Sequence, residues 1–222
     1  CMSYKAVLFD LDGTLFDTAP DIIAACNRTL KAYGFPAGDE AVLMGEVMNG
    51  MQSMLCSCLP LSHRHMAARG GPMYRLFAKE YTSNAAVLTK PYAGMDSLVL
   101  TLHKNGIRTA VVSNKYLSMI RTLFKAFAFT DCFEVITGGD SCARSKPFPD
   151  PLLHTFRLMN LNPADVLYCG DAQSDIEAAF RAGCKSCAVK WGYGFKDDKL
   201  QYDPTYTASK PADLLKIVGI NN

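Results

Sequence analysis

The sequence predicts an α/β fold, a parallel sheet flanked by helices, with an all-helical block inserted after the first strand. Three observations predict it. Ala6–Phe9 is a short apolar run without alternation, the pattern of a strand buried on both faces. Residues 39–83 keep helical spacing with no strand alternation, so the second strand is delayed. Beyond Gly94, helical segments alternate with short apolar runs, the order of units that cross over right-handed into a parallel sheet.

The first strand runs into Asp10-Leu11-Asp12-Gly13-Thr14. Side chains i and i+2 of an extended chain point the same way, and Gly13 frees the backbone for a turn. Thr18 with Asp21 three residues on reads as a capping box, and Pro20 suits a first helical turn. Ile22, Cys26, Leu30 and Tyr33 then share one face of a helix stopped by Gly34. Segments 41–48, 51–59 and 62–81 stay helical, punctuated by Gly45, Gly50 and Gly70-Gly71, and the block closes near Pro91-Tyr92-Ala93-Gly94. After it come a helix at 95–105, a strand at 107–112, a helix at 116–127 and a strand at 133–137. A helix at 151–159, a strand at 166–169, a helix at 176–182 and a last strand at 186–189 complete the pattern. Phe124, Phe127 and Phe129 read as core. The chain is thus expected to be a Rossmann-like core, residues 2–16 and 91–222, carrying a helical cap domain at 17–90.

Composition bounds the function. The 222 residues are 49% hydrophobic and 20% charged, with a net charge of +2, which gives no basis for a nucleic-acid or membrane partner. No apolar run approaches a membrane span, and the N-terminus lacks the apolar stretch of a signal peptide. Nine cysteines in odd number and scattered positions fit no disulfide framework, so a reducing cytoplasm is expected. Cys56 with Cys58, and Cys184 with Cys187, have no second pair at zinc-like spacing and read as buried thiols. His63 and His65 lie two apart in a polar segment and read as solvated.

In an open parallel sheet, ligands bind beyond the carboxyl ends of the strands. Three apolar runs end there in polar residues, at Asp10, Ser113 and Asp171, and Lys146 lies in a loop on the same side. Asp175 follows Asp171 by one helical turn. Carboxylates with a hydroxyl, a lysine and the helix start after Asn114 suit a magnesium-bound phosphate: hard oxygens for the cation, hydroxyl, ammonium and N–H donors for phosphate. Asp175 also reads as a helix cap, and Lys115 as a surface lysine.

Asp10-x-Asp12-Gly-Thr14, Ser113-Asn114, Lys146-Pro147 and Gly170-Asp171-x-x-x-Asp175 match in order and spacing the four motifs of the haloacid dehalogenase superfamily of phosphotransferases. Residues 111–115 (VVSNK), 145–151 (SKPFPDP) and Trp191-Gly192-Tyr193 resemble its phosphoglycolate phosphatase branch. The resemblance implies Asp10 as the nucleophile that becomes an aspartyl phosphate, and Asp12 as general acid and base. It implies Mg²⁺ on Asp10, the Asp12 carbonyl and Asp171, with Asp175 in support. Ser113, Asn114 and Lys146 would hold the phosphate, and Thr14 would brace the first loop on the substrate side. In the cap, Asn49 and Gln52 are the polar members of a glycine-flanked loop, Gly45–Gln52, expected to act as a lid that selects the substrate.

The expected partner is therefore a small phosphorylated metabolite, the protein being monomer or dimer. A phosphosugar mutase or a pyrophosphatase of the same superfamily stays open, as does a catalytically silent scaffold. Dehalogenases lack the second acid, which Asp12 supplies here. A Schiff-base phosphonatase would need a cap lysine, and nothing marks Lys31 for that role.

Overall fold

A computed structural model of the protein describes residues 4–195 and 201–220. The expected domain ends at residues 2 and 222 lie outside them. The chain divides into two compact units, residues 1–17 with 91–222, and residues 18–90.

The second unit is helical. It contains α1 (Ala19–Ala32), α2 (Glu40–Glu46), α3 (Met51–Cys58) and α4 (Pro72–Ser83). Leu30, Leu43, Met54, Leu55, Phe77 and Tyr81 form its fully buried interior. The capping box expected at Thr18 is absent: Thr18 has helical torsions and its side chain makes no capping bond. Asp21 turns away to accept the N–H groups of Leu88 and Thr89, at 3.0 and 2.8 Å, tying the end of the unit to its first helix. Gly45–Gln52 is not a loop. Gly45 lies inside α2, a 3-10 turn spans Val47–Asn49, and α3 begins at Met51. The helix expected over 62–81 is two elements, a 3-10 segment at Leu61–Ala67 and α4, parted by Gly70 and Gly71. Cys56 and Cys58 are partly exposed, not buried, while His63 and His65 are exposed.

The first unit is a six-stranded parallel sheet flanked by helices. In chain order it holds β1 (Ala6–Phe9), α5 (Met95–Lys104), β2 (Arg108–Val112), α6 (Leu117–Phe124) and β3 (Phe133–Thr137). Then come α7 (Asp150–Met159), β4 (Val166–Gly170), α8 (Gln173–Ala182), β5 (Lys185–Val189), β6 (Tyr206–Ala208) and α9 (Ala212–Ile217). The strand order is β3-β2-β1-β4-β5-β6, all parallel, which is the doubly wound arrangement. β5 is not the last strand: three-residue β6 pairs beside it, too short to carry a periodic signal.

Both faces of the sheet are covered, which is why β1 has no polar alternation. Val7, Phe9, Val111 and Leu167 pack with Leu98, Ile120 and Leu214 on one face. Ala6, Leu8, Ala110 and Tyr168 pack with Leu152, Phe156 and Ala178 on the other. Phe16 meets the rings of Phe124, Phe127 and Phe129, so these phenylalanines are core.

The buried Asp21 bonds generate a stability prediction. Asp21→Ala leaves two backbone donors without their acceptor, so unfolding free energy should fall by about 1–3 kcal/mol in urea titration. A change within experimental error would show that those donors find another acceptor.

Candidate active site

The strand order reverses between β1 and β4, and their carboxyl ends open a crevice at that switch point. Asp10 continues β1 by one residue, its N–H bonded to Cys169 O at 2.8 Å, and Asp171 follows β4 directly. Asp175 stands in the first turn of α8, where its Oδ2 accepts the Ala172 N–H at 3.0 Å. One oxygen from each of Asp10, Asp171 and Asp175 lies within 4.8 Å of the others, all three residues being buried. Asp175 is therefore both a helix cap and a member of the cluster.

Lys146 is the cation of this cluster. Its side chain is 2% exposed, and its Nζ lies 2.9 Å from Asp10 Oδ1 and 2.6 Å from Asp175 Oδ1. It also donates to the Tyr168 hydroxyl at 2.8 Å, which in turn donates to Val112 O at 2.8 Å. Asn114 sets the lysine's backbone: its Nδ2 donates to Lys146 O, and its Oδ1 accepts Lys146 N–H, at 3.0 and 2.9 Å. The Asn114 side chain is thus committed to the loop. The first N–H of α6 is likewise taken, by Asp140 Oδ1 at 2.8 Å.

Asp171 is held by a strap of residues 191–194. Its Oδ2 accepts the N–H groups of Tyr193 and Gly194 at 2.8 and 3.2 Å, and its Oδ1 accepts the Thr14 hydroxyl at 3.1 Å. Thr14 is fully buried and its hydroxyl braces the Asp171 carboxylate. Trp191 Nε1 donates to Thr14 O at 3.0 Å, and Tyr193 donates its hydroxyl to Asp17 Oδ1. The approach is close enough to require glycine. A Cβ on Gly13, which has φ +78°, would meet Asp171 Oδ2 at 2.2 Å, and one on Gly192 would meet Gly13 O at 2.3 Å.

Asp12 has a different partner. Lys115 Nζ donates to its Oδ1 at 2.7 Å, with the lysine side chain 7% exposed. The surface reading of Lys115 is overturned: its stem is buried and its head is paired beside the site. Ser113, at the end of β2, is buried and accepts the Lys115 N–H at 3.2 Å. Asn49 and Gln52 belong to the helical unit, are exposed, and Asn49 donates to Glu46 Oε2 at 3.0 Å.

Residues 7–189 match the family model described as haloacid dehalogenase-like hydrolase. The chain belongs to this family. It is 36% identical over 218 residues to the N-acetylmuramic acid 6-phosphate phosphatase of Pseudomonas aeruginosa, covering 98% of this chain and 96% of the relative. It is 33% identical over 214 residues to the phosphoglycolate phosphatase of Aquifex aeolicus, covering 96% of each. The crystal structure of a predicted phosphoglycolate phosphatase from Haemophilus somnus superimposes with a TM-score of 0.85 at 28% identity, covering 96% of this chain and 97% of that one. Within the family the hydrolase falls in the phosphoglycolate phosphatase-like branch and is a phosphoric monoester hydrolase.

The electrostatics of the hydrolase site call for a divalent cation. Three buried carboxylates face one ammonium, so full ionisation leaves an excess of two negative charges (3 − 1 = 2). Burial, Asp175 and Asp12 push the Asp10 carboxyl up to about 6, although Lys146 opposes the shift. Burial, Asp10 and Asp175 push Asp171 up to about 7. Burial alone would lower Lys146, but Asp10 and Asp175 outweigh it and hold the ammonium charged. Asp10 Oδ1 touches Lys146 without an aligned hydrogen bond and accepts no hydrogen bond among the described residues. A hard cation of charge +2 on these oxygens meets both the charge excess and the unsatisfied oxygen.

Tyr168 is the neighbour of the site that the sequence did not single out, while Lys115 and residues 191–193 were marked by resemblance without their contacts to Asp12 and Asp171. Tyr168 had one faint signal, a hydroxyl inside an otherwise apolar buried strand. The strap had another, glycines at 192 and 194 flanking Tyr193 after a strand.

These shifts set a pH signature. An unfolded Asp titrates near about 3.9, whereas Asp10 and Asp171 in the folded chain hold protons up to about 6 and 7. The folded state therefore binds more protons across that window, and metal-free stability contributed by these groups falls as pH rises through it. A divalent cation replaces those protons, so saturating Mg²⁺ should raise Tm more at pH 8 than at pH 5. Asp171→Asn should remove most of that difference. Equal shifts at both pH values would contradict a cation held by the triad.

Proposed function

We propose that this hydrolase cleaves a small phosphoglycolate-like phosphate monoester with Mg²⁺, through an aspartyl phosphate on Asp10. The observation that carries the reading is the convergence of Asp10, Asp171 and Asp175 at the switch point of the sheet, with buried Lys146 paired to Asp10 and Asp175 and a second acid, Asp12, two residues beyond the first. Two of the relatives act, by their names, on phosphoglycolate and on N-acetylmuramic acid 6-phosphate. Both compounds are phosphate esters of primary alcohols that also carry a carboxylate, and we take that class as the substrate.

In this reading an Asp10 carboxylate oxygen attacks phosphorus while the bond to the alcohol oxygen breaks. Asp12 gives its proton to that departing oxygen. A water molecule then attacks the phosphorus of the acyl phosphate, Asp12 takes its proton, and the Asp10 carboxylate is restored as inorganic phosphate forms. Ser113 and Lys146 hold phosphate oxygens and offset charge that an anion meeting a phosphate dianion would otherwise oppose. Mg²⁺, held by Asp10, the Asp12 carbonyl and Asp171 with Asp175 behind, would supply charge neutralisation of the phosphoryl group. Asn49 and Gln52 are proposed to act in ester selection. A reducing cytoplasm is the proposed setting, because nine cysteines in odd number and scattered positions fit no disulfide framework.

A panel of phosphoglycolate, N-acetylmuramic acid 6-phosphate, hexose phosphates and pyrophosphate, compared by kcat/KM, tests the substrate class. Highest values on the carboxylate-bearing primary esters are expected. An isomerised sugar phosphate in place of free phosphate would indicate a mutase instead.

Two substitutions test the chemistry. Asp10→Asn should abolish turnover in folded, metal-saturated protein, since an amide cannot form the acyl phosphate; substantial residual hydrolysis would remove Asp10 as nucleophile. Asp12→Asn should lower phosphoglycolate hydrolysis by roughly 10²–10⁴-fold. A nitrophenyl phosphate needs little proton donation, so its burst of phenol should survive while the phosphoenzyme accumulates. Equal losses on both leaving groups, without a burst, would make Asp12 structural only.

A further inference from the structure

We propose that Lys115 is a positioning residue for Asp12, holding one carboxylate oxygen and so fixing which oxygen of Asp12 exchanges the proton. The inference rests on the reading of Asp12 as general acid and base. It starts from a lysine that composition would put in water. The Lys115 side chain is 7% exposed, its Nζ is 2.7 Å from Asp12 Oδ1, and the Asp12 side chain is 20% exposed. Removing an ammonium from water costs free energy that a surface position would avoid, so the pairing needs another reason.

The backbone aims this lysine. Lys115 follows Ser113-Asn114 directly at the end of β2, its N–H donates to Ser113 Oγ, and its carbonyl accepts the Gly139 N–H at 2.8 Å. Gly139 passes so close that a Cβ there would meet Asn114 O at 2.1 Å. The loop that presents Ser113 and clamps Lys146 through Asn114 is therefore the same loop that delivers Lys115 to Asp12. Each of the two acids, Asp10 and Asp12, has its own lysine.

The chemistry follows from the donor inventory. An ammonium has three donors and no acceptor, so Asp12 Oδ1 can only accept from it. The ammonium's positive charge disfavours a proton on Oδ1, so the proton that Asp12 carries is placed on Oδ2. In the first half-reaction that proton goes to the alcohol oxygen, and in the second a proton from water returns to Oδ2. Both transfers need the same carboxyl orientation, and a misplacement of about 1 Å costs up to about 10²-fold in rate.

The test is a kinetic cycle on the full chain with Mg²⁺, using phosphoglycolate and nitrophenyl phosphate. Lys115→Met should lower kcat on phosphoglycolate roughly 10–100-fold, with KM changed by less than about threefold. The phenol burst should fall much less. Lys115→Arg, which keeps a cationic donor, should recover most of the loss. In an Asp12→Asn background, where the buried charge is also removed and folding is protected, adding Lys115→Met should change kcat by less than about threefold. A full multiplicative loss in that background would show that Lys115 does not act through Asp12 and would overturn the proposal. So would a rise in KM with kcat preserved, the mark of a direct substrate contact, or an unchanged kcat. A wild-type chain that hydrolyses no ester, or an Asp12→Asn variant as active as wild type, would remove the underlying reading and the proposal with it; neither is mimicked by a failure of Lys115 alone.

Discussion

One ammonium shared among buried carboxylates is the constraint on which this structure depends. Lys146 sits between Asp10 and Asp175, with the Tyr168 hydroxyl as its third neighbour. Without the lysine, three acids within 4.8 Å of one another would repel at short range in a dry site. With it, full ionisation still leaves two negative charges in excess. The fold thus accepts a local cost that a bound cation would relieve, and it maintains that cost with rigid supports. Asp10 is pinned by the sheet, Asp171 by Thr14 and the 191–194 strap, and Asp175 by the first turn of α8.

The two acids of the first motif illustrate how environment separates residues of identical chemistry. Asp10 is 5% exposed and faces Asp171, Asp175 and Lys146. Asp12, two residues on, is partly exposed and paired to Lys115 outside that cluster. A nucleophile and a proton carrier placed side by side need such a difference, because one must stay ionised while the other exchanges a proton. In the proposed reaction the split is achieved by two lysines that arrive on neighbouring loops, after β2 and after β3.

What was legible in the sequence follows a physical pattern. The parallel sheet was readable because strands buried on both faces are continuous apolar runs, and their ends mark the rim where ligands bind. Asp10, Ser113 and Asp171 stand at such ends, so their meeting needed topology alone. The long-range bonds were not readable. Asp21 with Thr18 has the local spacing of a capping box, but its carboxylate satisfies donors at residues 88 and 89 instead. Lys115 carries no local mark of its partner at residue 12. Tyr168 is hidden within an apolar strand, and β6 is three residues long. The glycine at 45 suggested a loop by its usual habit, yet α2 continues through it because Leu43 anchors the helix and Gly45 remains exposed.

The central claim is covalent: the phosphoryl group passes through Asp10. Acid-quenching the Asp12→Asn chain shortly after mixing with nitrophenyl phosphate and Mg²⁺, followed by peptide mass spectrometry, tests it directly. The account predicts the added mass of one phosphoryl group on the peptide containing Asp10, lost on treatment with hydroxylamine as an acyl phosphate should be. Phosphate on a serine, histidine or cysteine peptide, or unmodified Asp10 during an observed phenol burst, would contradict it.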